Sequence, residues 1–358
     1  MVVEENIRDG AVFLRRETGV LTAIVFLLLS LVMILLAAEG FTNAVEMIGR
    51  RLSFSQAVVG SVLAAVGTAL PETILPLVAI FSPGAHQSKE IGVGAILGAP
   101  FMLATVGFFV VGVSALVAAS RAGRQPEVRV EQRTFKRDLK FFLVMYGSAV
   151  FLPIIFGHGV VLPLVFVLLG GYVFYVMRTI KGESAGLEHF EGLHIIKLPV
   201  KWGVATEEHC HICWAFVQVA VSLGLMVAGA HVFVQHLGVV SLACGMSPLL
   251  FALLLAPVAT ELPEKFNSVT WMLKGKDTLA VGNITGAMVF QSTFPVCVGL
   301  LFTPWSIEGL ALVSALLALV SAAIVLITVS FHRRLNPWVM VLGGIVYMVY
   351  AMWVVVVK

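Results

Sequence analysis

Charge is scarce in this chain. Only 12% of its 358 residues are charged, against an ordinary share of about 25%, whereas 59% are hydrophobic and the mean hydropathy is +1.00. No soluble domain of this size buries that much apolar surface in one core, so the solvent that fits is a lipid bilayer. Cysteine is scarce too: Cys210, Cys213, Cys244 and Cys297 are too few and too scattered for a disulfide scaffold. The formal net charge is only +3 and the basic residues gather in a few loops, which excludes nucleic acid as a partner. There is no nucleophile–base pairing, no H-E-x-x-H zinc motif and no glycine-rich nucleotide loop. An enzyme, an ATP-driven pump and a resident cofactor are therefore all disfavoured. Arg15 and Arg16 precede the first apolar run, but Leu21 to Ala38 is longer than the core of a signal peptide, so no cleavage is expected.

What the chain has is long apolar segments. About 20 residues of helix cross the hydrocarbon core, and on that ruler there are ten spans: 20–48, 55–81, 90–118, 138–156, 160–179, 211–236, 247–272, 278–302, 308–330 and 337–357. Gly157-His158-Gly159 forms a hairpin between the fourth and fifth. Ser53 and Ser247-Pro248 carry helix-start chemistry, a hydroxyl cap and, in the second case, a first-turn proline. The six tryptophans fall near span ends or in loops, as interfacial anchors do. Seventeen lysines and arginines lie in the loops after the odd-numbered spans, against Lys89 alone in the others. The positive-inside rule then puts both termini outside, although Arg8, Arg15 and Arg16 pull the other way, and the short loops and compact length favour a plasma (inner) membrane. An intracellular linker at 183–209 divides a first half, 1–182, from a second, 210–358.

The two halves resemble each other. An offset of 192 matches Ser55, Leu63, Ala64, Val66, Thr68, Leu70, Pro71 and Glu72 to identical residues in the stretch Ser247 to Glu264. An offset of 188 matches five of eight residues between GVGAILGA at 92–99 and AVGNITGA at 280–287. With five spans in each half the repeats must be inverted, an arrangement used by secondary transporters. The fold expected is an all-α membrane protein of ten helices in two inverted repeats, with broken helices at its centre.

Each repeat places proline and glutamate in mid-span: Pro71-Glu72 and Pro263-Glu264. Proline frees the carbonyl four residues back, here near Gly67-Thr68 and Ala259-Thr260. A carboxylate, a threonine hydroxyl and loose carbonyls make an oxygen-only ligand set suited to hard cations. The bland alternative is a kinked helix with a locally satisfied carboxyl group. Yet an ionisable residue at mid-membrane costs roughly 2.5–3.5 kcal/mol to insert, so two at matched places favour an ion site.

GTALPE at 67–72, ATELPE at 259–264 and the glycine-rich segments that follow resemble the two α-repeats of the calcium/cation antiporter superfamily, sodium/calcium exchanger type. The resemblance spans essentially the whole chain. It implies that Glu72 and Glu264 bind the transported ion with Thr68 and Thr260, and that spans 1 and 6 slide past the core in alternating access. It also implies Ca²⁺ as cargo, against H⁺ or Na⁺. There are departures. Ala69 and Glu261 stand where the family usually has serine, and Ala95, Ala99, Pro100 and Leu103 replace its polar residues, while Asn283 and Gln291 keep polar character opposite Ala287 and Met288. Losing neutral oxygens and gaining Glu261 points toward proton coupling rather than several sodium ions.

Lys265 follows Glu264 and lies four residues after Glu261, the spacing of a helix ion pair. It either neutralises Glu261 or competes with the bound cation as an internal counter-charge. Glu39, which the 192 offset aligns with His231, recurs with Asn43, Glu46 and Arg50 on one helix face; this is either a pathway lining or an amphipathic helix end. His209, Cys210, His211 and Cys213, beside Glu207 and Glu208, are a weak candidate for a regulatory metal site. A monovalent cation/proton antiporter and a non-exchanging channel remain the alternatives. Beyond lipid and the transported cation, no obligate partner is evident.

Overall fold

A computed structural model describes residues 2–51, 64–82, 85–121, 126–180, 212–332 and 335–357. Its described residues are almost wholly helical. The helices are α1 (Val2–Arg51), α2 (Ala64–Phe81), α3 (Ala85–Met102), α4 (Phe108–Arg121), α5 (Gln132–Phe156), α6 (Val161–Ile180), α7 (Ile212–Ala243), α8 (Pro248–Thr260), α9 (Leu262–Leu273), α10 (Asp277–Gln291), α11 (Phe294–Phe302), α12 (Gly309–His332) and α13 (Pro337–Val357). Among the described residues, seven helical stretches are long and apolar enough to cross a bilayer, and Leu70–Phe81 and Pro248–Val258 add shorter apolar helices. One of the seven, Gln132–Thr179, holds two helices folded back at Gly157, whose φ of 68° suits glycine alone.

Several expected spans prove irregular. Leu103–Gly107 is a π-helical turn joining α3 to α4, where Pro100 removes a backbone donor and the Thr105 hydroxyl bonds the Phe101 carbonyl at 2.5 Å. The seventh span divides at Glu261 into α8 and α9, which places Pro263 in a first turn where its missing N–H costs nothing. The eighth divides at Ser292-Thr293, just ahead of Pro295. By contrast α2 runs unbroken through Pro71 and Pro76. Proline is tolerated inside a membrane helix when neighbouring groups take up the freed carbonyl.

Close packing depends on small residues, because lipid supplies no hydrophobic drive between helices. A Cβ on Gly94 would lie 2.2 Å from the Leu249 carbonyl oxygen, and one on Gly98 would lie 2.2 Å from that of Leu253. Glycines four apart thus let the α3 backbone rest on α8. Helices α1 and α7 run antiparallel: Gly229 abuts Ile34, Gly40 abuts Ser222, and Gln218 donates to the Gly40 carbonyl at 2.7 Å and to Asn43 at 3.0 Å.

At one end of the bundle, three polar connections meet. Val128 N–H donates to the Leu335 carbonyl at 3.1 Å, Arg129 N–H to Asp277 at 3.0 Å, and the Thr278 hydroxyl to the Arg129 carbonyl at 3.3 Å. These connections follow the predicted third, seventh and ninth spans, so they share a side as an alternating topology requires. Toward the other end, Phe81 packs edge-on against Phe302, and Trp305 is buried with its indole N–H on the Ala149 carbonyl at 3.0 Å. Trp305 is thereby a loop plug, not the interfacial anchor its position suggested.

Candidate cation-binding site

The centre of the bundle gathers polar groups on the irregular helices. Glu72, on α2, is 4% exposed and accepts a hydrogen bond from the side-chain amide of Gln291, the last residue of α10. The two lie 219 positions apart in sequence. Gln291 is wholly buried, and its amide oxygen finds no hydrogen-bond partner among the described residues. Leaving such an acceptor buried and unmet costs about 1–3 kcal/mol. Ser292 and Thr293 follow at the helix break, also fully buried, with their hydroxyls turned back on the carbonyls of Val289 and Phe290 at 2.8–3.1 Å. An oxygen aimed nowhere beside a buried carboxylate is what a desolvated cation would complete.

In the second half of the chain, Glu261 occupies the break between α8 and α9, with φ −94° and ψ 1°. Its carboxylate receives the ammonium of Lys265 in a buried i,i+4 ion pair. Thr260 is buried and donates its hydroxyl to the Ala256 carbonyl at 3.2 Å, which leaves that oxygen able to accept. One turn beyond Lys265, Ser268 takes the Asn283 amide at 3.0 Å and so ties α9 to α10. The side chains of Thr68 and Glu264 lie outside the described residues, as do Glu207, Glu208, His209, Cys210 and His211.

The other candidates do not join this centre. Glu39 is exposed on α1, and His231 on α7 contacts Ser82 at 3.3 Å and Gln235 at 2.9 Å. Cys213 is exposed at the start of α7, and the described residues hold no cluster of three or more metal-ligating side chains.

Asp138, which the sequence reading passed over, is a buried junction. It accepts from Arg137 at 3.1 Å, from the Tyr175 hydroxyl at 3.0 Å and from the Thr285 hydroxyl at 3.0 Å, binding α5 to α6 and α10. Its one sequence signal was a carboxylate just inside an apolar span.

A family model described as "Sodium/calcium exchanger protein" matches residues 22–181 and 214–356. The chain belongs to that family. Relatives of this exchanger-family member include the Alkalimonas amylolytica protein CaxA, 26% identical over 88% of this chain and 93% of the relative. The inner membrane protein YrbG of Escherichia coli K12 is 23% identical over 88% of this chain and 91% of its own. Among solved structures, the H⁺/Ca²⁺ exchanger CAX covers 98% of this chain and 91% of its own at a TM-score of 0.70 and 16% identity. The sodium-calcium exchanger NCX_Mj covers 93% of this chain and 98% of its own at a TM-score of 0.57 and 19% identity. Those structural likenesses establish a shared fold.

Proposed function

We propose that this protein is a secondary active cation antiporter that moves a hard divalent cation, Ca²⁺ first among them, against H⁺ or Na⁺ by alternating access. In this reading ten spans form two inverted five-helix repeats, both termini lie outside a plasma (inner) membrane, and no obligate partner chain is required. Three observations support the repeat. The 188 offset carries the π-turn at Leu103–Gly107 onto Gln291–Pro295, where α10 breaks from α11, so the irregularities coincide. The 192 offset carries the Ile34–Gly229 contact onto Met226 and Ala37, both buried in the same cluster between α1 and α7. The polar connections that meet at one end are separated by even numbers of spans.

The observation that carries the function is the buried pairing of Glu72 with Gln291, whose amide oxygen remains open. Glu72 and Glu264 supply two negative charges, enough for one divalent ion. Thr68, Thr260, Gln291 and Asn283 supply neutral oxygens, as hard cations prefer. Glu261 is already balanced by Lys265, so it adds no net charge to the ligand set. Helices α1 and α7, joined by small-residue contacts, are the sliding pair. The test is ⁴⁵Ca²⁺ uptake into proteoliposomes under imposed H⁺ or Na⁺ gradients. Uptake driven by one of them, and lost in Glu72→Gln and Glu264→Gln, is expected. Uptake that ignores both gradients, or survives both substitutions, would overturn the reading.

A further inference from the structure

The Glu261–Lys265 pair has no counterpart in the first half. Under the 192 offset the matching residues are Ala69 and Thr73. Thr73 is 5% exposed, and so is Lys265, so the position faces inward in both halves although only one carries a charge. The scaffold therefore does not need an ion pair at this place. Nor is such a pair a cheap brace, since taking two charges out of water commonly costs as much as their attraction returns. Its location is equally telling. Glu261 sits on the helix break directly after Thr260, and Lys265 stands between Glu264 and the Ser268–Asn283 bond that joins α9 to α10. The ammonium is thus held on the carboxylate at the helix break, next in sequence to Thr260 and one turn ahead of the bond to α10.

An ammonium is a monovalent cation with three N–H donors. Held on Glu261, it does what a bound alkali ion would do there, except that it is covalently attached and is never released. We propose that Lys265 is a tethered cation: it fills a monovalent-cation subsite at Glu261, so the exchanger moves one monovalent charge fewer per divalent ion than the same site without the lysine. The coupling consequence rests on the antiport reading, whereas occupancy of the subsite does not.

The two are therefore tested separately. In detergent, thermal unfolding of wild type, Lys265→Met and the double variant Glu261→Gln/Lys265→Met is followed while Li⁺, Na⁺ or K⁺ replaces N-methyl-glucamine at constant ionic strength. The expected result is a saturable rise in Tm with one small cation in Lys265→Met, beyond the wild-type response and absent from the double variant. Should Lys265→Met be recovered poorly, Lys265→Thr, which installs the first half's residue, is purified with and without that cation; recovery only with it supports the tethered-cation role. Melting of Lys265→Met indistinguishable from wild type across all salts would overturn it, as would instability of both variants in every salt, for the lysine would then be a brace alone. In proteoliposomes with clamped membrane potential, the lysine variant should carry one more monovalent charge per Ca²⁺. Failure of wild type to exchange at all would sink the antiport reading and leave the detergent result standing.

Discussion

Pro71 and Pro263 match each other in sequence at an offset of 192, yet the helix runs unbroken through the first and breaks two residues before the second. The difference follows from their neighbours. On α2, Ala69 and Thr73 flank Pro71-Glu72 and add no charge, so a continuous helix carries Glu72 to Gln291 on the opposite half. In the second half, Glu261 stands at the start of α9, its side chain taken up by Lys265 one turn later, and the helix is interrupted where this buried ion pair sits. One proline-glutamate motif thus serves two architectures. The first half offers a carboxylate held by an amide of the other half, and the second offers a carboxylate beside a built-in positive charge.

That asymmetry can be broken from either side. The largest effect is expected on the charged pair. Glu261→Gln or Lys265→Met removes one side of a buried ion pair at a cost of roughly 3–5 kcal/mol, in the latter case offset by whichever cation enters. Thr73→Val at the matching position removes an uncharged hydroxyl and should cost only about 1 kcal/mol. Melting temperatures of the three proteins in one salt will rank them. Equal losses at positions 73 and 265 would erase the distinction.

Next comes the packing on which the first half depends. Gly98→Val drives a side chain into the Leu253 carbonyl and should cost about 1–3 kcal/mol. Gly147→Ala, whose Cβ would meet nothing closer than Leu319 at 4.0 Å, should be neutral or stabilising by up to about 1 kcal/mol. Detergent stability assays compare them directly.

A subtler change makes the halves alike. Gln291→Leu installs the residue found at Leu103, removes a donor from Glu72 and one open oxygen, and should lower apparent Ca²⁺ affinity about tenfold, since a bond to a charged group contributes about 1.5–3 kcal/mol. A small effect belongs to Asp138→Asn, which keeps shape and the Tyr175 hydrogen bond and reverses the Thr285 bond, its amide now donating to the hydroxyl, but loses the charge facing Arg137; stability should fall by about 1 kcal/mol with the substrate affinity unchanged.

Local rules reached a good deal of this. Apolar runs pointed to an all-helical membrane protein, in which seven described stretches are long and apolar enough to cross a bilayer, and the i,i+4 spacing of Glu261 and Lys265 anticipated a pair that the structure forms. The partnership of Glu72 with Gln291 was beyond reach, because it depends on how α2 and α10 meet and not on either helix alone. The π-turn at 103–107 was equally hidden: Pro100 announces a lost donor but not which of kink, break or π-turn will absorb it. Asp138 escaped because it stands among basic residues at a span's polar end, where a carboxylate looks like an interfacial group. Only the fold reveals that Tyr175 and Thr285 close over it.

Counterflow puts the account to its most direct trial. Vesicles loaded with unlabelled Ca²⁺ should take up ⁴⁵Ca²⁺ faster than empty ones when they hold wild-type protein, and Glu72→Gln should abolish that acceleration. Equal entry into loaded and empty vesicles would make the protein a passive pore and contradict an exchange mechanism centred on Glu72.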